Sequence, residues 1–457
     1  VHNPAGTLLR QAERLQEAYF SAEEHTAKKQ DIRFGYNRGL CSKFPLHLVG
    51  VVPKHICYLA YATQVFAGSF SLRLVQINLG VGMSDLANFA KLARSDAQLP
   101  ADVYFDDLLL KQEIKRLFHR GPRYVGHELM VPNTGDFATL AWEDEGRMLV
   151  RNPTGIELLS NVCRHRQAKM LDGRGNSANI VCPLHRWTYD LKGELIGAPH
   201  FGETPCLNLS KTPLQRWNGL LFEGNGFDVG GTMQRLSKTS SVLRELNFSG
   251  YVLDHIEVQE CHYNWKSFIE VYLEDYHVEP FHPGLGSFVT CDDLRWEFGE
   301  QYSVQTVGVN HHLAKSGTPV YRKWQEEVLK FRRGEAPPFG AIWLTLYPNI
   351  MIEWYPHVLV VSTVWPRGPQ HTTNVVEFYY PEEIVLFERG FIEAERAAYR
   401  ETCIEDDEIA LRMDAGRRIL VNRGINEFGP YQSPMEDGMQ HFHEWYRRQN
   451  LLQPSHG

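Results

Sequence analysis

Cys163-Arg164-His165 is followed, after sixteen residues, by Cys182-Pro183-Leu184-His185. In an extended chain, positions i and i+2 point to the same side, so Cys163 and His165 can address one metal centre together. The second pair repeats the offer after an excursion carrying Gly173 and Gly175. Two thiolates and two imidazoles suit a [2Fe–2S] cluster with both cysteines on one iron and both histidines on the other. Neutral imidazoles in place of anionic thiolates raise the reduction potential, and an exposed imidazole edge gives electrons a way out. A structural zinc site is the competing chemistry, but zinc spacings usually group Cys with Cys and His with His.

A second constellation lies at residues 264–282: Asn264-Trp265-Lys266, then Glu270-Val271-Tyr272-Leu273-Glu274-Asp275-Tyr276-His277 and, five residues on, His282. Histidines five apart do not share a helix face, and Pro280 disfavours helix at Glu279. The spacing predicts a helix that ends near His277, with His282 returning from the following turn. Two imidazoles and one carboxylate with open positions opposite make the non-heme iron(II) site that binds O2 beside substrate. The carboxylate must come from farther on. Glu405-Asp406-Asp407 offers acids, although an acidic first turn of a helix also has the macrodipole as its reason. His311, His312, His441 and His443 are expected to be surface or core residues. The other six cysteines have no metal-like spacing and are expected to be plain thiols.

Asn161 to Arg166, with Cys182-Pro183-Leu184-His185-Arg186-Trp187-Thr188-Tyr189-Asp190-Leu191 and Gly193, resembles the Rieske domain of ring-hydroxylating oxygenase large subunits. The Glu270–His282 segment resembles the mononuclear-iron segment of the same family. The resemblance covers about residues 101–457, including Pro132–Thr139 and Tyr347-Pro348-Asn349. It implies Cys163, His165, Cys182 and His185 as ligands of one [2Fe–2S] cluster per chain. It implies His277 and His282 as ligands of one Fe2+. Asp406 aligns as the third ligand at a C-terminal helix start, with Asp407 as the fallback. Glu274 falls where the family places the acid that links the two metal sites between subunits of a trimer, through the neighbour's Rieske histidine, here His185; Asp275 is the alternative. Ala168 and Leu184 stand where respiratory Rieske proteins carry two further cysteines, which favours the oxygenase branch. Arg186 stands where many members have Gly, and Val271 where Asn is often found.

The elements that must hold these residues are an all-β cluster domain and an α+β catalytic domain with a curved antiparallel, helix-grip-like sheet. The sequence divides into an N-terminal segment 1–100, a cluster domain 101–228 ending near the glycines at 224–231, and a catalytic domain 229–457. Periodicity predicts an amphipathic helix over 5–30, a short helix over 107–118 and short strands to about Phe222. Strands follow at Ile350–Trp354, Val358–Val364 and Val375–Tyr380, then helices at Glu382–Arg400, Asp406–Leu420 and roughly Glu436–Arg448. Residues 39–84 form an apolar tract with no acidic residue between Asp31 and Asp85, outside the resemblance. Its run Ile56–Leu72 is short for a membrane span and interrupted by polar residues.

A net charge of -8 gives no electrostatic reason to expect nucleic acid or an anionic membrane. Eight cysteines in 457 residues are too few for a disulfide scaffold, so a reduced, cytoplasmic compartment is expected. The expected activity is O2-dependent mono- or dioxygenation of a small organic substrate, with electrons from NAD(P)H through a ferredoxin or flavin reductase, in a homotrimer. An aromatic ring compound is the first substrate class. A quaternary amine such as choline or carnitine is the second, because Glu405–Gly416 also resembles those amine oxygenases. A Rieske electron carrier is the non-oxygenase alternative, but it needs no second iron motif.

Overall fold

The computed structural model describes residues 98–239, 247–313, 315, 317–425 and 427–451, with the backbone of three earlier strands. The chain forms two compact units, Val1–Leu79 and Gly80–Gly457. In the first, strands Leu48–Val52, Ile56–Ala62 and Leu72–Ile77 form an antiparallel sheet in that order. The apolar run at Ile56 therefore opens as a strand, and no described helix is long and apolar enough to cross a membrane. The helix expected over 5–30 lies outside the described residues.

In the second unit, small antiparallel sheets carry the first motif. One has five strands, in the order Lys211–Thr212, Gly155–Ser160, Arg147–Asn152, Asp136–Thr139 and Arg174–Asn176. A three-stranded sheet, Leu195–Gly197, Thr188–Tyr189 and Ile180–Val181, abuts the second Cys/His loop. The glycines at 230 and 231, read in the sequence as a boundary, open the helix Val229–Thr239. The Asp228 carboxylate accepts from the Gly231 backbone N–H at 2.8 Å and so closes an orphan donor of its first turn.

A seven-stranded antiparallel sheet follows, in the order Tyr251–Cys261, His371–Pro381, Val358–Gly368, Ile350–Tyr355, Ala341–Leu346, Tyr302–Val309 and Val289–Phe298. Because side chains alternate along a strand, the sheet has two faces, and along its central strands both are buried. Ile342, Leu344, Ile350, Ile352, Leu359 and Val361 pack with Tyr124, Leu220 and Phe222 on one side. Trp343, Met351, Val358, Val360, Val376 and Phe378 pack against helices on the other. Residues 99–118 also join that helical core, through Tyr104, Leu110 and Phe118.

The helices expected at Glu382–Arg400 and Asp406–Leu420 differ from what is observed. A short helix, Glu382–Phe387, ends before Glu388, and one continuous 34-residue helix runs from Arg389 to Asn422. Buried ion pairs fix it against the helix Trp265–Tyr272. Arg417 donates to Glu270 at 2.5 Å and to Ser267 Oγ at 2.8 Å. From the same helix, Trp265–Tyr272, Lys266 Nζ meets Glu113 at 2.7 Å, both side chains fully buried. A buried pair left without one partner costs about 3–5 kcal/mol, so this clamp sets the register between the 274–282 segment and residues 405–406.

Candidate metal centres and the cavity beside them

The first motif forms two loops of matching conformation. The Gln167 N–H donates to the Cys163 carbonyl and the Arg186 N–H to the Cys182 carbonyl, each at 3.1 Å. Gln167 and Arg186 close these turns at φ 57° and 58°, in the left-handed region where glycine is at ease. Cys163 and Cys182 are buried, and the His165 and His185 rings lie 4.6 Å apart. Trp187 stacks on His165 at 4.9 Å, Phe201 meets both rings edge-on, and His185 remains exposed. The Tyr189 hydroxyl lies 3.5 Å from Cys163 Sγ. The buried Nδ1 of His165 has no hydrogen-bond partner. An orphaned buried nitrogen beside two buried thiols is the donor set a mixed-ligand [2Fe–2S] cluster takes, so the residues fit that group.

In the second motif the helix Trp265–Tyr272 stops earlier than the sequence suggests, and a single turn, Val278–Phe281, stands between the histidines. Pro280 is tolerated there because the first turn of a helix needs no donor. His277 and His282 flank that turn. One ligand atom each from His277, His282 and Asp406 lies within 4.8 Å of the others. Asp406 Oδ1 is 3.4 Å from His277 Nε2 and 3.0 Å from His282 Nε2. Asp406 sits in the middle of the long helix, not at a helix start, so the macrodipole does not account for it. Asp407, one residue round the helix, accepts instead from the Tyr263 hydroxyl at 2.6 Å and stays out of the cluster.

The other nitrogen of each imidazole is held by a carboxylate. His277 Nδ1 pairs with Glu274, and His282 Nδ1 with Glu405 Oε2 at 2.6 Å. Carboxylate–histidine contacts of this kind fix the tautomer and present the opposite nitrogen to a metal. Glu405 was part of the sequence motif but carried no expected role. Three carboxylates thus converge on two imidazoles, an excess of negative charge that a divalent cation answers. Burial alone would lower the His277 imidazole, but the hydrogen bonds and charges of Asp406 and Glu274 push it up to about 10. The residues fit a two-histidine, one-carboxylate iron. Asp275 is buried, accepts from Gln305 Nε2, and is pushed up to about 7 by burial and the Glu274 charge. Among the described residues no hydrogen bond joins Glu274 or Asp275 to His185 within the chain.

A cavity opens beside this cluster. One wall is a stripe of the long helix with the spacing i, i+3, i+4, i+7, i+8, i+11, from Glu395 and Ala398 to Asp406. The sheet supplies Trp343, Glu353 and Tyr355. Five carboxylates line the cavity (Glu274, Asp275, Glu353, Glu395 and Asp406), and among the described residues no lysine or arginine does. Burial pushes Glu353 up to about 7 and Glu395 up to about 8, against the tyrosine hydroxyls that donate to them. His441 and His443 are buried in hydrogen bonds with Tyr347, Tyr431 and Glu270, as core residues. Glu353, Glu395 and the tyrosines around them escape a reading by motif because they stand singly in regular elements.

Residues 122–208 match the Rieske [2Fe-2S] domain family, and residues 248–450 match the ring hydroxylating alpha subunit (catalytic domain) family. Over 366 residues the chain is 69% identical to putrescine 2-hydroxylase of Ralstonia nicotianae, covering 80% of this chain and 99% of that protein. It is 58% identical over 381 residues to putrescine 2-hydroxylase of Bordetella bronchiseptica, covering 80% and 87%. A chloroplastic choline monooxygenase of Beta vulgaris is 25% identical over 76% of this chain and 75% of its own. The fold is shared with the quaternary ammonium Rieske monooxygenase CntA in complex with L-carnitine, at TM-score 0.60 and 19% identity, covering 78% and 96%. It is also shared with naphthalene 1,2-dioxygenase from Rhodococcus sp. bound to indole, at TM-score 0.58 and 19% identity, covering 78% and 94%. Oxygenases of this kind take electrons from reductase or ferredoxin partners and work as multimers. This chain belongs to the Rieske non-heme iron oxygenases, as an alpha subunit with a [2Fe–2S] cluster, a mononuclear iron and O2 as co-substrate.

Proposed function

We propose that the chain hydroxylates butane-1,4-diamine (putrescine), or a diamine close to it, on a carbon of the alkyl chain. The observation that carries this reading is the cavity beside the iron ligands, whose wall beyond those ligands and Glu274 still carries Asp275, Glu353 and Glu395 and, among the described residues, no lysine or arginine. Such a wall repels an aromatic acid and gains from an ammonium ion. Glu353 is a hydrogen-bond acceptor on the cavity wall, and a primary ammonium has the N–H donors for it that a quaternary one lacks. The high identity to putrescine 2-hydroxylases supports the same substrate class. Between the two expectations drawn from the sequence, the cavity favours an amine.

The bound irons supply electron storage and the activation of O2 that insertion into a C–H bond requires. In this reading Cys163, His165, Cys182 and His185 hold the cluster, and His277, His282 and Asp406 hold the mononuclear iron. Glu405 orients His282. Glu274 orients His277 and is the acid through which His185 of the partner subunit reaches the site, in a homotrimer. Ferredoxin or a flavin reductase brings NAD(P)H electrons to the exposed His185 edge. A cytoplasmic setting belongs to the same reading.

The test is O2 uptake by iron-loaded protein with a reductase, NADH and one candidate substrate at a time. Putrescine should drive uptake with one hydroxylated diamine formed per O2, while benzoate, choline and carnitine should not. Uptake with choline or benzoate and none with putrescine overturns the reading.

A further inference from the structure

Glu353 lies on the strand Ile350–Tyr355, whose odd-numbered residues face the helices. It is 2% exposed. Its Oε2 accepts from the Tyr355 hydroxyl at 2.8 Å and its Oε1 from the Tyr399 hydroxyl at 3.1 Å. Among the described residues it has no cationic partner. A buried carboxylate without a cation is costly. Two other buried acids are paired with cations, Glu113 with Lys266 and Glu270 with Arg417, while Glu377 and Glu395 are held by tyrosine hydroxyls as Glu353 is. Those pairs are closed in the core, whereas Glu353 forms part of a cavity wall.

We propose that Glu353 is the anchor for the substrate ammonium remote from the carbon that is hydroxylated. This deepens the diamine reading and rests on it. Beyond the tyrosine hydroxyls that orient the carboxylate, the rings of Tyr272, Tyr355, Tyr399 and Trp343 line the same cavity, and aromatic faces stabilise an ammonium ion.

The long helix sets the reach. Tyr399, which holds Glu353, precedes Asp406 by seven residues, two turns on the same face and about 10 Å along the axis. An extended four-carbon diamine spans on the order of 6 Å between nitrogens at ordinary bond lengths. One hydrogen bond of roughly 3 Å beyond its far nitrogen brings it to that distance. Glu395, eleven residues before Asp406 and about 16 Å along the axis, lies a further turn away. Its Oε2 accepts from the Tyr380 hydroxyl at 2.5 Å. By this axial count Tyr399, and with it Glu353, stands within the reach of a four-carbon diamine, and Glu395 stands a turn beyond it.

The experiment is calorimetric binding of butane-1,4-diamine to anaerobic, iron-loaded protein, with cluster absorption checking that each variant is assembled. Wild type should bind the diamine at least thirtyfold more tightly than butan-1-amine, which lacks the remote ammonium. Glu353→Gln should weaken the diamine about a hundredfold, within the range for a buried charge pair losing one partner, and leave butan-1-amine unchanged. Glu395→Gln should stay within threefold of wild type. Glu353→Asp, one methylene shorter, should move the preference from the four-carbon to the five-carbon diamine. Wild type that binds no diamine overturns the diamine reading itself. Wild type that binds it, with Glu353→Gln within threefold, overturns only the assignment of Glu353. Should Glu353→Gln fail to assemble, a wild type indifferent to diamine length or to loss of one ammonium overturns the assignment equally.

Discussion

Replacing Glu405 should weaken ferrous-ion binding although Glu405 is not itself a ligand in the proposed site. Its Oε2 lies 2.6 Å from His282 Nδ1, and the His282 side chain is only 1% exposed. With the Nδ1 proton held by a carboxylate, the lone pair sits on Nε2, which faces Asp406 Oδ1 at 3.0 Å. Removing such a partner typically lowers metal affinity ten- to a hundredfold, or about 1.4–2.8 kcal/mol at 1.4 kcal/mol per decade. Glu405→Gln keeps an acceptor oxygen and loses the charge, so it belongs near the lower figure. Glu405→Ala loses both and belongs near the upper. Asp406→Ala removes the proposed carboxylate ligand and should abolish tight binding, while Asp407→Asn should stay within twofold because that side chain serves Tyr263. The assay is an anaerobic titration of protein stripped of mononuclear iron with Fe2+ against a competing chelator, with cluster absorption as the concentration standard. Wild-type affinity in Glu405→Ala, alongside its loss in Asp406→Ala, would refute the claim that this contact orients His282.

Three further outcomes follow from the fold. Arg186→Gly relieves a left-handed residue, worth about 1–2 kcal/mol, less the roughly 0.5–1 kcal/mol entropy of glycine; chemical denaturation should show a gain of about 0.5–1 kcal/mol, and Arg186→Ala none. Glu113→Gln leaves the Lys266 ammonium buried without its carboxylate and should cost about 3–5 kcal/mol, seen as a lowered denaturation midpoint. Glu377, between the hydroxyls of Tyr124 and Tyr379 at 2.6 and 2.5 Å, is pushed up to about 7 by burial. The folded state therefore holds a proton that the unfolded chain releases near 4.5, and stability falls as pH rises from about 4.5 to 7. Glu377→Gln should gain about 3 kcal/mol at pH 8, at 1.36 kcal/mol per unit, and little at pH 5; a gain independent of pH would contradict this.

Chemistry carried by neighbours in sequence was legible. The Cys163/His165 and Cys182/His185 spacing has few other uses, whereas His277 with His282 gains its weight from following that motif in the expected order. The partners that complete the second site come from far along the chain, and their signal is weaker. The long helix reads as two because its apolar residues, Phe391, Ile392, Ala394 and Ala398, thin out after 398. There the inward face turns polar: it lines the cavity with Thr402, Cys403 and Asp406 instead of entering the core. A periodic apolar signal fades where a helix meets a site, so the apparent break marked the functional stretch. Asp406 and Asp407 differ by a rotation about the helix axis, and only the partner each side chain meets, the two histidines or Tyr263, separates them.

Glu353 was hidden for a different reason. A lone acid among Ile350, Met351, Ile352 and Trp354 reads as the solvent side of an antiparallel strand, since such sheets commonly leave one face wet. This sheet has no wet face along its central strands. Glu353 and Glu377 both leave it buried, each satisfied by two tyrosine hydroxyls and, among the described residues, without an ion pair, but they leave it on opposite sides. Glu377 faces the core shared with Tyr124, and burial holds its proton in place. Glu353 faces the cavity that Asp406 lines, where a cation can arrive. Two acids with the same local chemistry thus differ only in access, and access is what makes one of them a structural hydrogen-bond acceptor and the other a binding group.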